Sequence, residues 1–513
     1  MILGGAHFEL NSEAAGSRAT LDDLFRRAAV RNIDAVALAD PPNRESFADG
    51  APRKLTYAQA DRAISATAAK LRRLGLQTDA VVAMQLPNTV ESVIVLLGVL
   101  RAGMIAAPLP LLWRKRDIVA ALKPLNAKAI ITASHVGSAH HVEIAMEAAA
   151  ELFPVRYVCG FGRDLPDGVV SFDGVLTPGP LDSEPPPART GDVAAHVALI
   201  TFDEGAEGIC AVARNQRELI AGGLGPHLES GAAQDGTLLS AIPLSSFAGL
   251  SLTLLPWLLG GGRLNLHHAF DPDTFAAQAR AQDGGIIVVP GPALASLADA
   301  DSLGRPASIV ALWRSPERLA TVAPWRGDGT LVDVASFGEV GLIAARRGAD
   351  GVPADIPFGV IGAPHGSAAA DTVVETMRSV AGMLALRGPM VPTQAFPPGA
   401  EQGVERHFTA HESGFVDTGL ACRLDRDSQT LTLTAPPAGM TGIGGYRFFQ
   451  SAVDLAVASV DPSATIVALP DAFLGQRLAG NAKDRDEIIA ALQSRGLNPL
   501  IAGAFRPRAS NVA

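Results

Sequence analysis

The sequence has few cysteines and no long uninterrupted apolar run. Its 513 residues include 3 cysteines and no Cys-x-x-Cys pair, so neither a disulfide framework nor a zinc knuckle is predicted. The most apolar stretch, residues 93–113, contains Arg101 and two prolines, which favours a buried helix and strand over a membrane span. The first 17 residues lack the basic and apolar segments of a signal peptide, so we expect a cytoplasmic protein.

The sequence also has fewer basic than acidic residues. Lys and Arg number 42 against 52 Asp and Glu, a net charge of −10, and no continuous basic stripe is present. A nucleic-acid surface needs such a stripe, so nucleic acid is not an expected partner. The chain is instead 48% hydrophobic and 18% charged, which is typical of a globular protein, and its length predicts more than one core.

Strand and helix patterns alternate over most of the chain, which predicts largely parallel sheets covered on both faces. From about residue 358 the pattern changes to short alternating strands, typical of an antiparallel, barrel-like part. A Gly-rich segment at 436–448 is interpreted as a hinge, and the tail as helix–strand–helix. We therefore predict an α/β fold: a large domain over 1–434, with doubly covered βα sheets and a small barrel-like part, and a small α+β domain over 435–513.

The segment 198–219, ALITFDEGAEGICAVARNQREL, begins like a phosphate-binding loop. An apolar strand leads into a turn with Gly205 and Gly208, followed by a pattern that we interpret as helical. Such turns cradle phosphates with backbone N–H groups, usually with a lysine and hydroxyls added. Residues 203–213 contain no Lys, Arg, Ser or Thr and contain three acids. The turn is either an altered site that binds metal through its acids or a surface turn that keeps only the backbone shape; we favour the second.

The order of motifs along the chain resembles the acyl-adenylate-forming (AMP-binding) superfamily, which includes acyl-CoA synthetases, peptide-synthetase adenylation domains and luciferases. The resemblance runs from about residue 20 to about 483. Its best segments are LTYAQADRAISATAAKLRRLGL, VVAMQLPNTVESVIVLLGVLRAGMIAAPLPL, IPLSSFAGLSLTLLPWLLGGGRLNL, ASFGEVGL, SGFVDTGLACRLDRD and GGYRF. It implies activation of a carboxylic acid by Mg·ATP to an acyl-adenylate, followed by transfer of the acyl group to a thiol of CoA or of a carrier protein.

The resemblance also implies roles for particular positions. Glu339 matches the glutamate that binds Mg²⁺, and it is the predicted catalytic and metal-binding residue. The predicted nucleotide-binding positions are Gly205, Gly208, Ser336, Phe337, Gly338, Thr418 and Gly419. The predicted acyl and thiol region comprises Ser246, Phe247, Gly249, Gly444 and Gly445.

Several parts of the family pattern are replaced. The loop lysine position holds Ala211, or Cys210 in a register shifted by one, and the ribose-binding aspartate position holds Leu420. The hinge motif and the catalytic lysine near the C-terminus are missing, and the only lysine of the tail is Lys483. Three hypotheses follow: a ligase with an unusual nucleotide site that uses Mg and ATP, with or without CoA; a non-catalytic protein that binds an acid, an acyl-CoA, a nucleotide or a protein partner, without a cofactor; or a subunit that partners an active ligase. We predict the ligase-like protein, with adenylation weak or lost, and keep the other two as alternatives.

Overall fold

A computed structural model describes residues 18–177, 191–205, 208–231, 233–282, 284–297, 303–314, 324–327, 329–362, 372–392, 396, 410–411, 413–471 and 473–507. Two residues of the predicted phosphate turn, Ala206 and Glu207, lie outside this part. Within it, every helix is too short or too polar to cross a membrane.

The described strands form two large mixed sheets, one antiparallel sheet and two hairpins. They are β1 (Val36–Ala39), β2 (Lys54–Thr56), β3 (Val81–Gln85), β4 (Ile105–Pro108), β5 (Ala129–Ala133), β6 (Tyr157–Phe161), β7 (Val170–Ser171), β8 (Val197–Gly205), β9 (Gly208–Asn215), β10 (Thr237–Ser240), β11 (Arg263–Leu266), β12 (Ile286–Pro290), β13 (Ser308–Trp313), β14 (Thr330–Phe337), β15 (Gly341–Arg346), β16 (Ile356–Pro357), β17 (Gly359–Gly362), β18 (Thr372–Arg378), β19 (Met383–Arg387), β20 (Val416–Asp425), β21 (Thr430–Ala435), β22 (Met440–Ile443), β23 (Tyr446–Phe449), β24 (Thr465–Asp471) and β25 (Gly475–Asn481).

Several of the described helices begin at side-chain caps. Thr56 caps α2 reciprocally with Gln59, and Asn215 caps α6 in the same way with Glu218. The helices are α1 (Leu21–Arg31), α2 (Tyr57–Arg73), α3 (Val90–Arg101), α4 (Lys115–Leu122), α5 (His141–Glu151), α6 (Gln216–Ser230), α7 (Phe247–Gly249), α8 (Leu255–Gly260), α9 (Pro272–Arg280), α10 (Gln450–Ala458), α11 (Arg485–Ser494) and α12 (Pro499–Gly503). A π-helical turn over Leu250–Leu254 joins α7 to α8.

The first large sheet has the strand order β15-β14-β13-β12-β10-β11-β1-β2, and only its outermost strands β15 and β2 are antiparallel to their neighbours. The second has the order β7-β6-β5-β3-β4-β8-β9, parallel except for β9. Strands such as β3 are buried along their whole length, as expected for parallel strands covered on both faces. The largest apolar cluster packs α2, α3, α6 and α8 against these sheets. The predicted doubly covered α/β architecture is confirmed.

The predicted helix directly after Gly208 is wrong. Residues Gly208–Asn215 form β9, which pairs with β8 as a hairpin in which Gly205 lies opposite Gly208. Helix α6 begins only at Gln216. A short apolar run does not distinguish a strand from a helix by periodicity, and here the pairing with β8 decides.

The C-terminal third is antiparallel. Strands β16-β21-β20-β19-β18-β17 form one sheet, which is the part predicted to be barrel-like. The segment expected to be a hinge contains the hairpin β22–β23, and the tail contains the hairpin β24–β25 rather than a single strand. Residues from Ile443 to Phe505 share an apolar cluster of their own. The exact boundary at 434/435 stays a prediction.

Candidate functional site

A cleft of about 380 Å³ opens where the carboxyl ends of both parallel sheets meet the hairpin β22–β23. This is the edge at which open α/β sheets bind ligands. Its apolar walls include Trp113, Phe202, Phe270 and Phe473, and the rings of Phe270 and Phe473 lie 5.4 Å apart. Its polar walls are formed by Asp203, Glu204, Ser245, Ser246, His268, Arg314, Ser336, Glu339 and Arg447.

The acid at the end of β8 is held by an arginine from the C-terminal hairpin. Asp203 Oδ1 lies 2.6 Å from Arg447 Nη1, and both side chains are largely buried. The other oxygen, Asp203 Oδ2, accepts a hydrogen bond from the Glu339 backbone N–H at 3.2 Å. Gly338 allows this contact, because a Cβ there would lie 2.5 Å from Arg447 Nη1 and its φ of +59° favours glycine. Asp203 therefore joins three separate segments.

Glu339 is turned into the protein. Its carboxylate accepts a hydrogen bond from the Phe247 backbone N–H at 3.0 Å and lies 3.6 Å from Arg214 Nη1. Arg214 is almost completely buried, donates to the Glu339 carbonyl oxygen, and stacks 3.8 Å from the centre of the Phe247 ring. Burial raises the pKa of Glu339 and lowers that of Arg214 to about 10, while their mutual attraction opposes both shifts. The pair contributes no net charge to the cleft.

Glu204 is the third acid of the cleft, and burial raises its pKa to about 8, with Asp117 and Asp203 adding to the shift. Burial likewise raises the pKa of Asp117, at the start of α4, to about 6. At neutral pH Glu204 is therefore mostly protonated. With Asp203 and Glu339 each facing an arginine, the three acids that line the cleft do not make it strongly negative.

The loop after β10 closes one side of the cleft. Ser246 caps α7 by accepting a hydrogen bond from the Gly249 N–H at 3.1 Å. Gly249 packs so closely that a Cβ would lie 1.8 Å from the Pro243 carbonyl oxygen, so a larger residue does not fit. Phe247 is fully buried beneath Arg214. Of the predicted acyl residues in this loop, Ser246 alone lines the cleft.

The hairpin β22–β23 closes the opposite side. Gly444 and Gly445 line the cleft with φ values of +55° and +91°, which only glycine adopts readily. A Cβ at Gly445 would lie 3.1 Å from the Arg314 guanidinium. The Tyr446 hydroxyl accepts a hydrogen bond from the Leu112 N–H at 3.0 Å. The turn is thus fixed to the loop after β4 and packed against the end of β13.

Known proteins resemble this chain over much of its length. The model of the family described as AMP-binding enzyme matches residues 25–304. The chain belongs to this family. A 2-hydroxy-7-methoxy-5-methyl-1-naphthoate–CoA ligase from Streptomyces carzinostaticus is 27% identical over 484 residues, which are 90% of this chain and 83% of that protein.

Solved structures of this family share the fold. The amide bond synthetase McbA from Marinactinospora thermotolerans superposes with a TM-score of 0.66 at 18% identity, over 94% of each chain. An artificially fused adenylation–PCP di-domain, NpsA-ThdA from Klebsiella oxytoca, gives a TM-score of 0.65 at 17% identity, over 95% of this chain and 92% of that one. At these identities the likeness establishes the architecture: a large N-terminal and a small C-terminal part.

The predicted nucleotide positions are only partly brought together. Ser336 and Gly338 line the cleft beside Glu339, whereas Phe337 is buried behind them. Gly205 and Gly208 lie at the hairpin tip outside the cleft wall. Thr418 and Gly419 lie on β20, outside the cleft wall; Thr418 donates to the Leu384 carbonyl oxygen at 2.8 Å. Nucleotide binding by these residues stays a prediction.

Magnesium does not fit the observed position of Glu339. Its carboxylate already faces Arg214, Thr201 and the Phe247 N–H, and a cation there would lie beside a guanidinium. Among the described residues, no group of three or more His, Cys, Asp or Glu side chains is placed to hold a metal ion. The predicted role of Glu339 as a metal ligand stays a prediction that this arrangement does not favour.

Sequence reasoning missed the cations and the imidazole of the cleft. Arg214 lies in an apolar strand pattern, and a lone arginine there is itself a signal of a buried acidic partner. Arg447 lies within the GGYRF motif, but its partner Asp203 is 244 residues away. His268 follows β11, and burial lowers its pKa to about 4, so it is neutral at physiological pH.

Proposed function

We propose that this chain binds an organic carboxylic acid, most simply an aryl acid, in the cleft and acts as an acyl-CoA synthetase-like member of its family whose adenylation is weak or lost. The alternative from the sequence, a non-catalytic acyl-CoA- or nucleotide-binding protein or a partner subunit of an active ligase, shares the same acid-binding cleft. It differs in the complete absence of ATP turnover.

Three observations support binding of an aryl acid. The cleft volume lies within the range of small-molecule sites, and its walls carry aromatic side chains beside two arginines. Glu204 is largely neutral and each of the other two acids faces an arginine, so these carboxyl groups do not give the cleft the strong negative charge that would repel an anion. The relative from Streptomyces carzinostaticus is named for a naphthoate, which is an acid of this class.

One observation carries the proposal of weakened adenylation: the carboxylates nearest the expected phosphate position are engaged with arginines of the chain itself. When the carboxylate of the acid attacks the α-phosphorus of ATP, negative charge builds up on the phosphate oxygens. Enzymes stabilise this charge with cations that are already in place. Here Arg214 is directed at Glu339 and Arg447 at Asp203, so each guanidinium meets a carboxylate that would have to be displaced first.

Two replacements support it further. Leu420, at the ribose aspartate position, is fully buried in the antiparallel sheet and offers no acceptor. Lys483, the tail's only lysine, is exposed and outside the cleft wall. If residual activity exists, Mg and ATP would be its cofactors, and CoA or a carrier protein its thiol acceptor. A C-terminal domain over 435–513 and a cytoplasmic location remain part of the proposal.

The test is ATP–pyrophosphate exchange over a panel of naphthoic, benzoic and fatty acids, with binding of the same acids measured by calorimetry. An active adenylate-forming ligase serves as the positive control. Glu339→Gln is the matched variant, because it removes the charge of the predicted metal ligand at nearly constant volume. We expect acid binding, and exchange at or near background in both forms.

Each result has a distinct meaning. Rapid exchange that Glu339→Gln abolishes would overturn the loss of adenylation and establish a working ligase. Absence of binding for every acid would overturn the acid-binding proposal. Co-purification with an active ligase, together with binding but no exchange, would support the partner-subunit alternative.

A further inference from the structure

A side cavity of about 150 Å³ adjoins the cleft, and the two share Pro243, Ser245, His268 and Tyr446. The side cavity is mainly apolar, with Met84, Leu109 and Leu244 among its walls. The polar side chains in these walls include Asn88, after β3, and His268, after β11. His268 also lines the cleft, whereas Asn88 lines the side cavity alone.

Asn88 presents a buried oxygen with no hydrogen-bond partner. Its Nδ2 donates to the carbonyl oxygens of Ser240 at 3.2 Å and His267 at 3.1 Å, which fixes the orientation of the amide. A flipped amide would place oxygen against both carbonyls, so Oδ1 is the free end. The residue is 3% exposed, and Oδ1 accepts from nothing in the part of the chain that the structure describes. A buried acceptor in this state needs a donor, and only a ligand or water can bring one.

His268 is a second polar group of these walls. No hydrogen bond to its imidazole occurs among the described residues, although its nitrogens are not fully enclosed as Asn88 Oδ1 is, and its ring centre lies 4.8 Å from that of Phe47 in an edge-to-face contact. The neighbouring His267 differs: its Nδ1 lies 2.6 Å from Gln278 Oε1, and its Nε2 accepts from the Asp271 N–H. A neutral imidazole offers one donor and one acceptor. Because burial lowers its pKa to about 4, His268 suits hydrogen bonding better than proton abstraction.

We propose that the side cavity binds a hydrogen-bond donor of the ligand. There, Asn88 Oδ1 and the His268 imidazole bind a hydroxyl or amino substituent on the ring of the acid. This inference rests on the proposed acid binding and adds a substrate feature to it. An apolar ring alone would leave the buried Asn88 Oδ1 unpaired, so the site selects acids that carry a donor. A methoxy group has the same oxygen without the donor hydrogen, and it is the matched ligand control.

The experiment titrates the full chain with naphthoic acids that carry one hydroxyl at successive ring positions, their methoxy counterparts and the unsubstituted acid. Binding is measured by calorimetry in the wild type, His268→Phe, Asn88→Ala and the exposed control His140→Phe. His268→Phe keeps a ring against Phe47. We expect one hydroxy acid to bind about tenfold more tightly than its methoxy and unsubstituted partners, with the ratio falling to about twofold in both cavity variants and unchanged in the control.

The ratio is taken within each variant, so partial destabilisation by Asn88→Ala does not mimic the effect. Equal binding of all acids to the wild type would overturn the proposed donor binding and leave acid binding intact, with water as the partner of Asn88. A hydroxyl preference that survives His268→Phe and Asn88→Ala would also overturn it. Binding of none of the acids would overturn the proposed function and this inference together.

Discussion

Two charged cavities lie at the carboxyl ends of parallel strands in this protein, and they differ in how their charges are satisfied. The second cavity, of about 200 Å³, lies beside the ends of β3, β5 and β6. There Arg44 forms ion pairs with Asp40 at 2.7 Å and Glu91 at 2.6 Å, and donates to the Asp49 carbonyl oxygen. These partners come from residues 40–91, close in sequence and mostly buried.

The cleft also contains ion pairs, but they connect distant segments and stand beside a buried polar group without a partner. Asp203 pairs with Arg447 across 244 residues, whereas Asn88 Oδ1 has no hydrogen-bond partner among the described residues. The difference teaches that charge alone does not mark a binding site. A closed network such as that of Arg44 stabilises the fold, and unsatisfied polar groups in an aromatic cleft point to a ligand.

The largest expected effect concerns the ion pairs of Arg44 with Asp40 and Glu91. Arg44→Met should lower the free energy of unfolding by about 4 kcal/mol, because it leaves Asp40 buried without a counter-charge and leaves Glu91 with Arg53 as its only cationic partner among the described residues. Urea denaturation measures this loss. Arg53→Met is the control: Arg53 also pairs with Glu91 but is about one-third exposed, and should cost less. Lost acid affinity in a still-folded Arg44→Met protein would contradict the comparison.

The second prediction concerns the buried pair of the cleft. Arg214→Met should lower the free energy of unfolding by about 3 kcal/mol, since it leaves the buried Glu339 carboxylate without a counter-charge. The double variant Arg214→Met/Glu339→Gln should recover most of the loss. Denaturant unfolding of the wild type, the two single variants and the double variant gives the double-mutant cycle. Additive losses would show that the two side chains do not stabilise each other.

The third prediction is a pH dependence. The pKa of Glu204 is raised to about 8 in the folded chain from an ordinary 4.5, so wild-type stability should fall as the pH rises from about 5 to 8. Glu204→Gln removes this titration and should therefore gain stability relative to the wild type by about 1–3 kcal/mol at pH 8, with little change at pH 5. Thermal denaturation at both pH values measures it, with the exposed Glu143→Gln as control. An equal gain at both pH values would refute the assigned pKa.

The smallest expected effect concerns the ion pair that connects hairpin β8–β9 to hairpin β22–β23. A double-mutant cycle of Asp203→Asn and Arg447→Gln should give a coupling energy of about 1 kcal/mol, because Arg447 remains partly accessible to solvent. Hydrogen exchange over β22–β23 should rise in either single variant. Unchanged exchange there would show that Tyr446 and the Arg314 contact hold the hairpin without the ion pair.

Much of the architecture could be predicted because its signals are local. The buried run of β3, the capping box at Thr56 and the apolar helix α3 each follow from residues within one element. The segment after Gly208 could not be assigned correctly, because its strand depends on pairing with β8. Of the predicted site residues, Ser246, Ser336, Gly338, Glu339, Gly444 and Gly445 come together at the cleft.

The sequence by itself determined the α/β class, the family resemblance and the absence of a lysine in the turn after β8, since these depend on residue type and short-range periodicity. Only the tertiary structure decided that Asp203 of this turn and Glu339 after β14 each face an arginine. Arg214 meets Glu339 across 125 residues and Arg447 meets Asp203 across 244, and such pairs form because packing excludes water and leaves each buried charge to find its counter-charge within the protein.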